Sequence, residues 1–325
     1  MKKYTIKIYE PSDYCIWNAF ISTAKNGTFL FHRDFMEYHQ DRFEDYSLLV
    51  FSGKNCVAVL PANTLQNTVF SHSGLSYGGL VYEDGLSLVN VIGCFKAILS
   101  FLNKEGISTL HVKTIPSYYY KKPSDEIAAA LFLAKAQLVR RDSLAVIDLK
   151  KDFSFSKLRE RGIQKAIKNN LIIKEETDFE CFWNEILIPN LATRHQVSPV
   201  HSIAEITYLR NKFPANIRQF NVYRKGQLIA GTTIFETETT AHCQYISKYE
   251  KEKNSGSLDF LFDHLIRTTF ADKNYFDFGS SNENQGKELN AGLVEWKESF
   301  GASTTIQDFY EIETANYYHL ETAII

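Results

Sequence analysis

The stretch YFDFGSSNENQGKELNAGLVEWKESF, residues 275–300, decides the fold because it passes from a strand pattern to a helix pattern across a polar loop. Three of the residues 275–278 are aromatic, which is typical of a buried strand. The strand ends at Gly279, and the polar residues 280–284 follow it. A loop between a strand end and a helix start is a common place for binding groups.

A helix is predicted after this loop, over residues 286–300. Its apolar stripe has helical spacing and consists of Leu289, Leu293, Trp296 and Phe300. Gly301 supplies the left-handed residue at which a helix commonly ends. Lys297 lies beside the stripe, where it either reaches the rim of a binding groove or is an ordinary solvated lysine.

The composition is that of a globular protein without a strong charge bias. The chain has 325 residues, of which 44% are hydrophobic and 23% charged, and its net charge is −2. This length suffices for two domains, and this charge predicts no general attraction to nucleic acid. The opening residues MKKYTIKIYE lack the apolar run of a signal peptide, and no stretch reaches the ~20 apolar residues that cross a bilayer. The five scattered cysteines favour a reducing cytoplasm and predict neither a disulfide framework nor a structural zinc site.

The same order of elements occurs in both halves of the chain. Each half has a β-hairpin, with its turn at Gly53 or Gly226, and then a strand, a helix and further strands. The repetition predicts an α/β (α+β) fold with two tandem domains, each a mixed, mostly antiparallel sheet flanked by helices. We place the domains at residues 1–150 and 151–325 and expect a cleft where they meet. The alternative is that two unrelated α+β domains share this order.

Three further helices are predicted in the second half. Residues 156–169 form a basic helix, which is either a solvated face or a phosphate-recognition surface. Residues 178–188 form a helix that Pro189 stops. Ser202 opens the third helix with a capping box.

Several segments of the chain resemble the FemAB-type branch of the GNAT acyltransferase superfamily. Three lie in the quoted stretch and the glycine after it: D-F-G-S-S at 277–281, L-N-x-G-L at 289–293 and W-K-E-S-F-G at 296–301, where Trp296 stands in place of the more usual Phe. The others are L-R-E-R-G-I-Q-K-A-I-K at 158–168, R-H at 194–195, P-V-H-S at 199–202 and H-C-Q-Y at 242–245. Two segments of the first half, F-H-R-D-F-M-E-Y-H at 31–39 and S-H-S-G-L-S-Y-G-G-L at 71–80, resemble bacterial GNAT-like acetyltransferases. In this order they cover most of the chain. The resemblance implies tandem GNAT-like domains and an acyltransferase activity.

The resemblance also implies where the reaction takes place. In the GNAT fold the donor carbonyl pairs with a strand edge where two neighbouring strands part, here residues 240–247 and 275–278. His242 is a candidate base for the amine proton, Tyr245 a candidate acid for the leaving thiolate, and Lys297 a third catalytic candidate. The alternative for His242 is a histidine hydrogen-bonded within a sheet.

Strict strand alternation assigns the side chains around His242 to two faces. His242 and Gln244 fall on one face, and Cys243 and Tyr245 on the other. The polar Gln244 suggests that the face of the strand that carries His242 is exposed to solvent.

The superfamily holds the pyrophosphate of coenzyme A on backbone N–H groups of a glycine-rich loop that opens a helix. The corresponding residues, predicted to bind an acyl-CoA donor, are Lys253, Asn254, Ser255, Gly256 and Ser257. The sequence departs from the family pattern at Leu258, where a small residue is usual, and Asp259 adds a negative charge in the first helical turn. The alternative is a surface turn capped by Ser257.

Candidate acceptor-binding residues are polar or aromatic groups near loops and strand ends. They are His32, Arg33, His72, Tyr77, Arg194, His195, His201, Gln244, Asp277, Ser281 and Asn282. Such groups suit an anionic or hydroxyl-rich acceptor. Histidines without a nearby carboxylate pattern are weak metal ligands, so no metal site is predicted.

Three functions follow as hypotheses. The first is an N-acyltransferase that moves an acyl group, most simply acetyl, from acyl-CoA to an amine of a sugar nucleotide or cell-envelope precursor in the cytoplasm. The second is an aminoacyl-tRNA-dependent transferase, as in the peptidoglycan-bridge branch of the family. The third is a non-catalytic protein that binds a glycan or another partner. None of the three predicts a DNA partner or a membrane span.

Overall fold

A computed structural model describes residues 3–252 and 254–324, and the side chains of Arg194 and His195 lie outside the described set. The chain forms two compact units. The first comprises Met1–Asp142 and Ile306–Ile325, and the second comprises Ser143–Thr305.

The strands in chain order are β1 (Thr5–Ile8), β2 (Glu44–Asp45), β3 (Leu48–Ser52), β4 (Asn55–Leu60), β5 (Asn63–Leu65), β6 (Thr68–Phe70), β7 (Val81–Tyr82), β8 (Thr109–Lys113), β9 (Gln137–Asp148), β10 (Ile172–Glu176), β11 (Ile217–Arg224), β12 (Gln227–Glu236), β13 (Thr240–Lys248), β14 (Tyr275–Ser280), β15 (Asn282–Glu283), β16 (Glu288–Leu289) and β17 (Ser303–Glu313).

The α-helices are α1 (Tyr14–Thr23), α2 (Arg33–Met36), α3 (Leu88–Lys104), α4 (Glu126–Leu133), α5 (Lys157–Lys168), α6 (Glu180–Phe182), α7 (Ile188–His195), α8 (Ile203–Lys212), α9 (Ser257–His264), α10 (Ala291–Glu298) and α11 (His319–Thr322). Two π-helical turns, Trp183–Leu187 and Leu265–Thr269, extend the helical runs around α6 and α9. Short 3₁₀ helices occur at Pro11–Asp13, Phe29–Phe31, Glu37–His39, Ser117–Tyr119, Glu250–Glu252, Asn284–Gly286 and Thr314–Tyr318.

Both units are built from mostly antiparallel strands with helices packed on them. In the first unit one sheet has the order β1-β3-β4-β7, and a second run has the order β17-β8-β6-β5-β2. In the second unit the order is β10-β11-β12-β13-β14-β9. The apolar core of the first unit surrounds α3, and that of the second surrounds α9. This is the mixed α/β architecture that the sequence predicted.

The two units repeat one unusual feature, a short parallel pair with a helix in the connection. In the first unit β6 and β8 pair in parallel over three positions, and α3 lies between them in the chain. In the second unit β13 and β14 do the same, with α9 between them. The hairpin turns at Gly53 and Gly226 have φ angles of 62° and 80°, as glycine turns require. The repetition agrees with the predicted duplication.

The compact units differ from the predicted halves at the C-terminal end of the sequence. Residues 306–325 belong to the first unit, although the sequence pattern placed them in the second domain. The reason is strand pairing, because Phe309 to Glu313 of β17 pair with Lys113 to Thr109 of β8. A pattern of alternating residues identifies a strand but not the strand beside it.

Two helix predictions need correction, while the predicted capping box at Ser202 is confirmed. The helix predicted to stop at Pro189 continues to His195, because the π-helical turn before it places the proline at the start of α7, where its missing N–H is harmless. The Ser202 capping box is present, and Ser156 caps α5.

Helix α10 begins later than predicted. The Asn290 side chain accepts the Leu293 N–H at 3.1 Å and caps the helix there. Leu289 therefore lies in the short strand β16 and is 54% exposed, so it is not part of an apolar stripe. Trp296 and Phe300 do pack inward, edge-on to Phe262 of α9.

Candidate active site

Strands β13 and β14 form a fork within the sheet of the second unit. They pair in parallel at three positions, namely Thr240 with Tyr275, Ala241 with Phe276 and His242 with Asp277. Strand β13 continues to Lys248 without a further partner in β14 among the described residues. The prediction that these strands are neighbours that part is confirmed. Backbone groups on this edge of β13 can therefore bind an extended ligand.

His242 and Asp277 form a hydrogen-bonded pair at the base of the fork. The Nδ1 atom of His242 lies 2.7 Å from Oδ2 of Asp277. Asp277 is 1% exposed, whereas the side chain of His242 is 18% exposed. Because a carboxylate only accepts hydrogen bonds, Nδ1 carries the proton and Nε2 is left as a base. Asp277, predicted as a substrate ligand, is buried against His242 and orients it instead.

Gly279 produces the turn by which β14 leaves the fork. Its φ is 71°, in the left-handed region, and its N–H donates to Oδ1 of Asp277 at 2.6 Å. A Cβ at this position would lie 3.3 Å from Cε1 of His242. The register between β14 and β9 is also irregular between Asp277 and Ser280. Glycine is required here both for the backbone conformation and for the close approach of the imidazole.

Lys297 of α10 reaches the same turn from the other side. Its Nζ donates to the carbonyl oxygens of Gly279, at 2.9 Å, and Ser280, at 2.8 Å. The residue is 2% exposed, so it is not the solvated lysine of the alternative interpretation. Burial lowers the pKa of Lys297 to about 8, although the nearby Asp277 opposes this shift.

The predicted alternation along β13 agrees with its burial, because Cys243 and Tyr245 are buried while His242 and Gln244 are partly exposed, but the pairing with β12 is irregular. Thr233 of β12 faces Tyr245, and the next residue, Ile234, faces Cys243, so Gln244 is an extra residue. The Gln244 Oε1 atom is buried and has no hydrogen-bond partner within the described part of the chain.

Tyr245 lies in a polar and aromatic environment with His201. The Tyr245 hydroxyl accepts the His201 backbone N–H at 3.2 Å and lies 2.7 Å from His201 Nδ1. Trp183 of the π-helical turn packs edge-on against Tyr245, with 5.1 Å between ring centroids. Burial raises the pKa of Tyr245 to about 12, so the phenol keeps its proton near neutral pH.

Two of the other predicted acceptor ligands lie just after the fork. Asn282 Oδ1 accepts the backbone N–H of Ser143 at 2.7 Å, which fixes the loop after β14. The Ser281 hydroxyl is buried and lacks a hydrogen-bond partner among residues 3–252 and 254–324. Arg194 and His195 fall at the end of α7, and their side chains lie outside the described set.

A cavity of about 410 Å³ opens at the N-terminus of α9. Of the predicted donor-binding residues, Asn254, Gly256 and Ser257 line it, and Lys253 lies outside the described residues. Gly256 has a φ of 78° and occupies the N-cap position, so the turn is not capped by Ser257. Ser255 instead accepts the Ser257 N–H at 3.2 Å.

The basic helix α5 forms the opposite wall of this cavity. Arg159, Arg161 and Lys165 line it, together with Lys248 at the end of β13. The helices are so close that a Cβ on Gly256 would lie 2.1 Å from the carbonyl oxygen of Gly162.

Charge within the cavity is only partly balanced. Arg159 Nη1 pairs with Asp259 Oδ1 at 2.5 Å, so the acidic residue of the first helical turn is neutralised. Burial raises the pKa of Asp259. The Arg159 Nε and Ser257 Oγ atoms are buried without a hydrogen-bond partner in the described structure. Buried polar atoms without partners and an excess of cations suit an anionic ligand.

The candidate residues in the first unit are mostly held by contacts within that unit. Arg33 is ion-paired with Glu37 at 2.8 Å and with Asp45, and Tyr77 donates to Thr28 Oγ1 at 3.0 Å. His72 is buried as well, and burial lowers its pKa to about 3. These three residues therefore present little surface to a substrate, in contrast to their predicted role.

The remaining candidate in the first unit, His32, is half-buried, and burial lowers its pKa. No group of three or more His, Cys, Asp or Glu residues in the described ranges is arranged to hold a metal ion. No helix in those ranges is both long enough and apolar enough to span a membrane. All five cysteines are free thiols.

Three solved structures share this fold over nearly the whole chain. FemX superposes with a TM-score of 0.67 at 9% identity, covering 97% of this chain and 99% of FemX. L-PGS from Bacillus licheniformis gives 0.61 at 12% identity, with 96% and 94% covered. A tandem GNAT protein from the clavulanic acid biosynthesis pathway gives 0.52 at 12% identity, with 96% and 99% covered. No protein-family model and no curated protein matches the sequence. The chain thus shares the fold of FemX and of the tandem GNAT protein, as the resemblance implied.

Proposed function

We propose that this protein is an acyltransferase that acylates an amine at the fork between β13 and β14. The observation that carries the proposal is the position of the His242–Asp277 pair, at 2.7 Å, where the two strands part. The fork offers a strand edge to the acyl donor, and the pair offers a base within reach of that edge. The fold shared with FemX and the tandem GNAT protein supports the same activity.

In the proposed reaction a C–N bond forms and the bond from the acyl carbon to its carrier breaks. The acceptor amine attacks the acyl carbon, and its proton moves to Nε2 of His242. Asp277 stabilises the resulting imidazolium through Nδ1. With a thioester donor the leaving group is a thiolate. Tyr245 is our candidate for protonating it, since the raised pKa keeps the phenol protonated.

Acyl-CoA is the donor that we propose first. The cavity at the N-terminus of α9 supports this choice because it combines a buried Ser257 hydroxyl with the side chains of Arg161, Lys165 and Lys248. Such a set fits a diphosphate. An amine of a sugar nucleotide or cell-envelope precursor in the cytoplasm is our proposed acceptor.

An aminoacyl-tRNA donor is the second candidate. The observation that favours it is the basic wall of α5, because phosphates of a nucleic acid would meet the same side chains. The net charge of −2 favours it less, since tRNA binding usually uses a broad positive surface.

Titration calorimetry with coenzyme A and with aminoacyl-tRNA separates the two donors. We expect coenzyme A to bind and the double substitution Arg161→Ala/Lys165→Ala to weaken binding at least about tenfold. Lys54→Ala, an exposed lysine in the hairpin turn of the first unit, is the matched control and should change nothing. Binding of aminoacyl-tRNA alone, weakening steeply with salt, would replace the first donor by the second. Binding of neither would reject both.

A further inference from the structure

Lys297, Gly279, Asp277 and His242 are joined by one continuous series of hydrogen bonds. Lys297 Nζ donates to the Gly279 carbonyl at 2.9 Å, and the Gly279 N–H donates to Asp277 Oδ1 at 2.6 Å. The other carboxylate oxygen of Asp277 accepts from His242 at 2.7 Å. Lys297 therefore binds the carbonyl of Gly279 and Asp277 binds its N–H, and Asp277 also binds the imidazole of His242.

We propose that Lys297 is a positioning residue: it fixes the turn at Gly279 and thereby orients Asp277 and His242, without contacting the substrate. The proposal rests on the proposed function for the role of His242, but the geometry it describes is independent of the reaction. It departs from the expectation that Lys297 is a catalytic group.

Burial of the lysine supports the positioning role. At 2% exposure Lys297 has little surface to offer a ligand, and its Nζ already bonds the Gly279 and Ser280 carbonyls. A buried ammonium is retained when it satisfies groups that would otherwise lack partners. Those carbonyls belong to the irregular end of β14, where the register with β9 is interrupted.

The location of the turn at Gly279 also supports the positioning role of Lys297. Gly279 has a φ of 71°, and only a held backbone keeps such a turn in one conformation where β14 leaves β13 and its register with β9 is interrupted. Without the lysine, two carbonyls lose their donor, and the Gly279 N–H is free to leave Asp277. The carboxylate would then lose its orientation toward Nδ1.

The test compares wild type with Lys297→Met and Lys297→Arg. Lys273→Met is the matched control, because Lys273 also donates to a backbone carbonyl, that of Thr237 at 3.0 Å, next to the start of β14. The first readout is the ring ¹⁵N spectrum of His242, assigned from a His242→Gln sample, which reports which nitrogen carries the proton. The second is hydrogen exchange of the 279–282 amides.

We expect Lys297→Met to convert His242 from the Nδ1–H form to a mixture of tautomers and to speed exchange at 279–282 about tenfold or more. Lys297→Arg, which can still donate to both carbonyls, should recover most of the wild-type spectrum. Lys273→Met should leave the His242 spectrum unchanged. If Lys297→Met does not fold, Lys297→Gln, which retains one donor group, gives the same readouts.

An unchanged His242 tautomer and unchanged exchange in Lys297→Met would overturn the proposal. If turnover still fell in that variant, Lys297 would act on the substrate directly. Neither readout uses acyl transfer, so a failure of the proposed function, seen as no turnover with any donor, is distinct from a failure of the positioning role.

Discussion

His242 Nδ1 lies 2.7 Å from Asp277 Oδ2, and these two residues are also the last paired position of strands β13 and β14. One position thus ends the pairing of the strands and holds the candidate base. The carboxylate is almost fully buried, while part of the imidazole is exposed. Of the two, the histidine is the residue that can meet a substrate.

The first prediction concerns His242 itself. His242→Gln removes the base but keeps a polar side chain, and we expect kcat to fall by roughly 10²–10⁴ with little change in the KM of the donor. Asp277→Asn should lower kcat as well, because it no longer favours the protonated imidazole. His264→Gln, on α9, is the control. Wild-type turnover in His242→Gln would remove the base from the mechanism.

The second prediction concerns the glycine of the fork. Gly279→Ala requires an alanine to adopt a left-handed backbone conformation, and it places a Cβ 3.3 Å from Cε1 of His242. We expect a loss of about 1 kcal/mol of stability from the backbone and a larger loss of turnover from the displaced ring. Gly53→Ala has the same backbone strain, at φ 62°, but no atom within 4 Å of the new Cβ. Equal effects of the two changes on kcat would contradict the role of the contact.

The third prediction is a pH dependence of stability. Burial lowers the pKa of Lys297 from its ordinary value of 10.5 to about 8. Between these values the unfolded chain binds more protons at this residue than the folded chain, so the free energy of unfolding rises with pH, by up to about 3 kcal/mol. Denaturant unfolding at about pH 7 and about pH 10 should show this gain in wild type relative to Lys297→Met. If the free energy of unfolding changed equally with pH in the two proteins, the pKa of Lys297 would not be lowered by folding.

The fourth prediction concerns the cavity at α9. Ser257→Ala removes a buried hydroxyl without a partner among the described residues, so stability should stay the same or rise by about 1 kcal/mol. Binding of coenzyme A, measured by calorimetry, should nonetheless weaken about tenfold. Ser255→Ala is the contrasting variant, because its hydroxyl accepts the Ser257 N–H and donates to the Glu252 carbonyl. That change should lower the melting temperature. Unchanged binding of coenzyme A to Ser257→Ala would show that this hydroxyl does not contact the donor.

The strands of the fork have local signatures in the sequence, but the prediction that they are neighbours that part came from the resemblance to the GNAT superfamily. His242 was identified through the segment H-C-Q-Y at 242–245, which belongs to the same resemblance. The contact of Lys297 with two backbone carbonyls could not be predicted, because carbonyl groups are the same in every residue and only the fold brings them near. The irregular pairing at Gln244 was missed because an inserted residue looks like ordinary alternation until the partner strand is known.

The assignment of Asp277 changed for a related reason. A polar residue at a strand end suggests a ligand, but its partner depends on the register between β13 and β14. Likewise, the basic residues of α5 were visible as a run, and only the close packing of Gly162 on Gly256 places them at the α9 N-terminus. Register and helix crossing are tertiary properties that a single sequence records weakly.

The pairing of β17 with β8 has a consequence for synthesis on the ribosome. The first unit needs Phe309 to Glu313 to complete its strand order, whereas the second unit lies wholly within Ser143–Thr305. Because chains are made from the N-terminus, every residue of the second unit has been synthesised while the first still awaits a strand. Of the two units, the one whose synthesis starts first is therefore the one whose last strand is made later.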